Sequence, residues 1–129
     1  MNLNKMMESK RRCKIRAYNN HVRRLKEKCF SVSERLQYIR FSNRKLNCLR
    51  WHNNESREHI LKKLDICIEL KNMNHIFITE AIFVDGGRAD IIDLTSGIIY
   101  EIMNSENEKD CDEKVKNYPK EFRIVKLGV

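Results

Sequence analysis

Proline occurs once and glycine four times in this 129-residue chain. That excludes the Pro- or Gly-rich linkers that join loosely tethered modules. Long apolar runs are missing too. The longest (Ile76–Ile78, Ala81–Val84, Ile91–Ile92, Ile98–Tyr100) fall far short of the ~20 residues of a spanning helix. The first 30 residues are basic and lack an apolar segment, so they do not read as a signal peptide. The five cysteines (Cys13, Cys29, Cys48, Cys67, Cys111) are odd in number and form no CxxC. They read as reduced thiols, and the expected location is cytoplasmic, in the host's cytoplasm if the chain is viral. Richness in Lys, Asn and Ile fits an AT-rich viral or archaeal coding genome.

Acidic residues are scarce in the first half. Residues 1–63 carry 18 Lys and Arg against five Asp and Glu, a net +13, whereas residues 64–129 carry eight against 13, a net −5. A basic half of this strength points to nucleic acid, with DNA ahead of RNA and no membrane partner. Hydrophobic residues make up 41% of the chain, enough for one folded core without disulfides.

Residues 9–30 are predicted to form a helix. Ile15, Tyr18, Val22, Leu25 and Cys29 share one stripe, and Arg11, Arg12, Arg16, Arg23 and Arg24 lie on the cationic remainder. The stripe would equally serve a homodimer. Ser31–Glu34 fits a capping box and predicts a second helix, with a short third helix around Leu46 and Leu49. This pair, with Arg44, Lys45 and Arg50, is loosely compatible with a helix-turn-helix. Asn53-Asn54 offers the cap of a further helix over Glu55–Lys71, whose inner face would be Ile60, Leu61, Leu64, Cys67 and Ile68. Cys48, His52, His59 and Cys67 are the right types for zinc, but their spacing matches no compact knuckle.

Near Asn72 the pattern changes to strands. His75–Val84, Ala89–Leu94 and Ile98–Met103, separated by Asp85-Gly86-Gly87 and Thr95-Ser96-Gly97, predict an antiparallel meander. Ser105–Glu108 is a second capping box, opening a helix that stops before Pro119. Phe122–Leu127 would be the last strand. The chain thus divides into a basic helical region, 1–53, and an α/β core, 54–129, ordered α-β-β-β-α-β. Asp90 and Glu101, on neighbouring strands of the meander, form a carboxylate pair that would need a cation between them. Oxygen ligands favour Mg²⁺ or Mn²⁺. Asp90 and Asp93 also have a plainer reading as turn acids.

The segment Gly87–Leu94 followed by Tyr100-Glu101-Ile102 resembles the PD-(D/E)xK nuclease superfamily, most closely its small archaeal and viral Holliday-junction-resolvase-like branch. The resemblance covers about residues 54–129 and implies a restriction-endonuclease-like core and a Mg²⁺- or Mn²⁺-dependent endonuclease acting on DNA. It assigns Asp90 and Glu101 as metal ligands, with the Ile102 carbonyl as a further oxygen. Glu58 would be the helix carboxylate, with Glu55 as its competitor. Glu80 is an acid able to lean toward the same site, and Arg88 would meet a phosphate. The motif lysine is replaced by Met103, and Lys109 on the next helix is the nearest substitute cation. The alternative expectation is a catalytically silent nuclease-like nucleic-acid-binding or regulatory protein.

Overall fold

The computed structural model describes residues 2–104 and 108–129, and leaves aside the side chains of residues 21, 22, 25–29 and 108–110. The chain divides into two compact units, Met1–Ser31 and Val32–Val129. This boundary falls earlier than the expected one at residue 53. Val32 and Ile39 are already buried in the core of the second unit.

Helix α1 runs unbroken from Leu3 to Leu36. The expected stop at Ser31 is therefore wrong, because continuing the helix satisfies the same backbone groups the capping box would have served. Within the first unit, Ile15 and Tyr18 are exposed, as are Arg11, Arg12, Arg16, Arg23 and Arg24. The side chains of Val22, Leu25 and Cys29 lie outside the described residues. After α1 the only helical element before residue 57 is a single 3₁₀ turn at Phe41–Asn43. The expected short third helix is absent among the described residues, so the helix-turn-helix has no recognition helix.

The second unit is a mixed α/β fold. Helix α2 (Arg57–Asn72), strands β1 (Phe77–Ile82), β2 (Arg88–Asp93) and β3 (Ile98–Met103), helix α3 (Glu108–Val115) and strand β4 (Arg123–Gly128) follow in that order. The expected string α-β-β-β-α-β is observed. The sheet order is β1-β2-β3-β4, antiparallel through β3, with β4 parallel to β3. The capping box at 105–108 lies outside the described residues.

Each face of the sheet carries a core. Ile39, Ile78, Phe83, Ile92, Leu94, Ile99, Tyr118 and Phe122 form one. On the other, Ile66, Cys67 and Leu70 of α2 pack on Phe77, Ile91 and Ile102. The buried face of α2 is thus Lys63, Ile66, Cys67 and Leu70. Leu61, Leu64 and Ile68, expected inside, are exposed. Apolar content alone placed the inner stripe wrongly, because a lysine occupies one of its positions.

The β2–β3 turn is tied to the end of α1. Arg35 donates to the carbonyls of Leu94 (2.6 Å) and Thr95 (2.8 Å). Gly97 sits at φ +75°, and a Cβ there would lie 2.8 Å from the Arg35 guanidinium, so any other residue would strain the turn and displace Arg35.

Candidate active site

The register of the meander builds the site. Thr79 pairs with Ile91 and Ala81 with Ala89, so Glu80 stands opposite Asp90. Ile91 pairs with Tyr100 and Ile92 with Ile99, so Asp90 and Glu101 lie one residue beyond the last paired positions of β2 and β3. The three acids thus sit on three successive strands, with Glu80 at the position its ladder leaves unpaired. Asp90 and Glu101 are buried, which removes the reading of Asp90 as an exposed turn acid. Asp93 does serve its turn. It accepts from the Thr95 and Ser96 amides and the Ser96 hydroxyl, and it holds His75 at 2.7 Å.

Asp90 and Glu101 line one open cavity of about 410 Å³, with His52, Glu55, His59, the Ile102 segment, Met103, Cys111 and Lys114 also on its wall. The Ile102 amide donates to Asp90 Oδ2 (2.9 Å), and the Asp90 amide contacts Glu101 Oε1 at 3.4 Å. Lys114 Nζ lies 3.4 Å from Glu101 Oε2. The two carboxyl groups are driven apart in acidity. Burial and the Asp90 charge push Glu101 up to about 7, against Lys114 and Tyr118. Burial opposes ionisation of Asp90 as well, but the His59 hydrogen bond, the Ile102 amide and Lys114 outweigh it and hold Asp90 at about 2. Two buried like charges this close do not both ionise freely without a cation.

His59 was not anticipated as a ligand outside the zinc reading. Its Nε2 lies 3.2 Å from the Ile102 carbonyl oxygen and 3.6 Å from Asp90 Oδ2, while Nδ1 lies 3.0 Å from Glu55 Oε2. The polar contact with Asp90, the hydrogen bond to Glu55 and the charges of both favour the imidazolium over burial's opposition. An imidazole oriented by a carboxylate through one nitrogen and aimed at oxygens through the other is the usual dress of a metal-binding histidine. Ligand separations expected around a first-row ion at bond lengths of about 2.1 Å are roughly 3.0–3.4 Å. His59 Nε2 lies near that range from the Ile102 carbonyl and from Asp90 Oδ2, but among the described residues His59, Asp90 and Glu101 form no group with ligand atoms within 4.8 Å of one another.

A second cluster lies beside this one. Lys63 is wholly buried, with Nζ 2.6 Å from Glu80, 2.8 Å from Glu55 and 3.1 Å from the Arg50 carbonyl. Burial alone would neutralise the ammonium, but the two carboxylates keep its pKa raised. Glu80 adopts φ +52°, a left-handed conformation rare for a non-glycine in a strand. That twist accompanies its contact with Lys63. His52, Glu55 and Glu80 also present ligand atoms within 4.8 Å of one another.

Several expectations are corrected here. Glu58 is exposed and outside the cavity wall. Its competitor Glu55 is the inward carboxylate, because α2 is capped by Ser56, which accepts from the His59 amide. Glu55 therefore precedes the helix and folds back onto its inner face. Glu80 belongs to the Lys63 cluster and lines a smaller cavity of about 170 Å³ with Arg50, Trp51, His52 and Arg88. The Lys109 side chain lies outside the described residues, and the described lysine of α3 on the carboxylate cavity is Lys114. Arg50 and Lys45 are exposed, and Arg44 is half-buried over the Phe41 ring. Cys67 is buried in the core rather than joined with His52 and His59, and among the described residues the four candidate zinc ligands form no group.

Lys63 and His59 fall four residues apart, on one helix face with Ile66, Cys67 and Leu70. A lysine interrupting that stripe was the signal available in the sequence. Comparison with family models, curated proteins and solved structures finds no match. Among the described residues no helix is long and apolar enough to cross a membrane.

Proposed function

We propose that this protein is a metal-dependent nuclease that hydrolyses DNA phosphodiester bonds, on a core of the restriction-endonuclease-like type. The observation that carries this reading is the convergence of Asp90, Glu101, His59 and the Ile102 carbonyl on one open cavity. The element order, with a meander closed by a parallel fourth strand, supports the same core. Asp90, Glu101, the Ile102 carbonyl and His59 would hold Mg²⁺ or Mn²⁺. When bound, that ion supplies Lewis acidity to a phosphoryl oxygen and lowers the pKa of a water.

The chain's own groups do the rest. Glu55 holds the His59 ring in place through Nδ1. The Tyr118 hydroxyl and the Asp90 amide hold one oxygen of Glu101, leaving the other toward Lys114. Lys114 is the cation available to a scissile phosphate in place of the motif lysine that Met103 replaces. Arg50 and Arg88, beside the cavity, and the arginines of α1 would contact the DNA backbone.

A second reading is favoured by Met103, which lines the cavity where the resemblance expects the lysine. Under it the chain is a catalytically silent nuclease-like nucleic-acid-binding protein. Incubation with plasmid, linear and branched DNA in Mg²⁺, Mn²⁺ or EDTA separates the two. Cleavage in metal, lost in EDTA and in Asp90→Asn and Glu101→Gln, supports the enzyme. Binding without any cut, unaltered in both variants, leaves the silent protein.

A further inference from the structure

The segment between α1 and α2 presents two large aromatic rings to solvent, and one of them, Trp51, lines the smaller cavity. Phe41 is 86% exposed and Trp51 57% exposed, in a polar segment where burial would have been the ordinary fate of such side chains.

The segment carrying them is anchored rather than loose. The Arg40 amide donates to the Ile82 carbonyl (2.9 Å) and the Asn47 amide to the Phe77 carbonyl (2.8 Å). The Arg50 amide donates to the Thr79 hydroxyl (2.8 Å), and the Arg50 carbonyl accepts from buried Lys63. Residues 40–50 therefore run pinned along the free edge of β1, and Trp51 follows the last anchor directly.

Arginines lie beside both rings, and at Trp51 the acid Glu80 shares the cavity with them. The Arg44 guanidinium lies 5.5 Å from the centre of the Phe41 ring. Trp51, Arg50, Arg88 and His52 line the smaller cavity. His52 also lines the larger one, so the two cavities adjoin at that residue.

We infer that Phe41 and Trp51 are base-stacking platforms for a single strand of DNA led past His52 into the carboxylate cavity. This rests on the nuclease reading for its destination and names the substrate class within it. Exposed aromatic faces with interleaved arginines match the chemistry of unpaired bases on a phosphate chain. In a duplex the base faces are already stacked on one another, and only the backbone would meet the arginines.

Trp51 is the sole tryptophan of the chain, so its fluorescence reports on this ring alone. The full chain is titrated with a short oligothymidylate, with the same strand in a blunt duplex, and with an RNA of matching sequence, all in EDTA. The expected result is saturable quenching of Trp51 by the single strand of DNA at lower concentration than by duplex. Trp51→Ala and Phe41→Ala, followed by anisotropy of a labelled strand, should each weaken single-strand binding roughly 5- to 150-fold with duplex binding little changed. Trp51→Phe should restore most of it. Both rings are exposed, so circular dichroism should be unaltered.

Duplex bound as tightly as the single strand, with Trp51 fluorescence unmoved, overturns the inference. So does RNA bound in preference to DNA. Stacking without cleavage in Mn²⁺ supports the platform and removes the nuclease. Cleavage of duplex DNA indifferent to Trp51→Ala and Phe41→Ala removes the platform and leaves the nuclease standing.

Discussion

The Tyr118 hydroxyl lies 2.5 Å from Glu101 Oε1 and 2.6 Å from the Arg88 carbonyl oxygen. A phenol has one proton and the carbonyl can only accept. The hydroxyl therefore divides its one proton between the two acceptors, and what it donates to Glu101 favours the carboxylate. Burial and the Asp90 charge outweigh that donation and push Glu101 up to about 7.

Stability without metal should fall as pH rises. Glu101 is protonated in the folded chain up to about pH 7, but the unfolded chain releases that proton near the ordinary glutamate value. Between those limits the folded state binds more protons, so its stability declines by on the order of 3 kcal/mol and then levels off. His59 adds the same sign, since its favoured imidazolium is lost as pH rises through its raised pKa. Asp90 acts at the other end, losing stability as pH falls toward about 2. Thermal midpoints in EDTA from pH 4.5 to 8 test this, and Glu101→Gln should remove most of the slope.

Lys63→Met should destabilise the fold by about 3–5 kcal/mol, because it leaves Glu55 and Glu80 facing each other without their buried cation. Adding Glu80→Gln should recover part of the loss, since one of the stranded charges is then gone. Urea denaturation of the single and double variants measures both.

His59→Ala should weaken Mn²⁺ binding by at least about tenfold, given that even groups supporting a ligand histidine cost roughly 10–100-fold. Binding to the unaltered chain should release protons, because Nε2 and Glu101 must give them up. Calorimetry in two buffers of different ionisation heat reads this directly, and the variant should release fewer.

DNA affinity should fall steeply between 50 and 200 mM salt, as expected for several phosphate contacts. Arg50→Ala and Arg88→Ala should each lower the slope of log affinity against log salt by about one. A slope unchanged in both variants would place the phosphate contacts elsewhere. Anisotropy over a salt series provides the measurement.

Much of the fold was legible locally. Ile98–Met103 is a strand at the expected bounds, and the Gly-containing turns sit where backbone freedom requires them. The meander and the closing strand follow from alternation and turn chemistry. Boundaries set by competition were not legible. Ser31–Glu34 carries a cap signal, yet the helix runs through it. Asn53-Asn54 offered a cap, yet Ser56 is the one used, and that shift brings Glu55 inward in place of Glu58.

The sequence by itself determined the α-β-β-β-α-β order, the division of charge and the presence of Asp90 and Glu101 on adjoining strands. Those follow from periodicity and residue type, which act over a few neighbours. Only the tertiary structure decided which cations meet which acids. Lys63 lies 17 residues from Glu80, and Lys114 lies 13 from Glu101. His59 meets an Ile102 carbonyl 43 residues away. Such pairings depend on how α2 and α3 pack across the sheet. There, burial makes an unpaired charge costly enough to choose its partner.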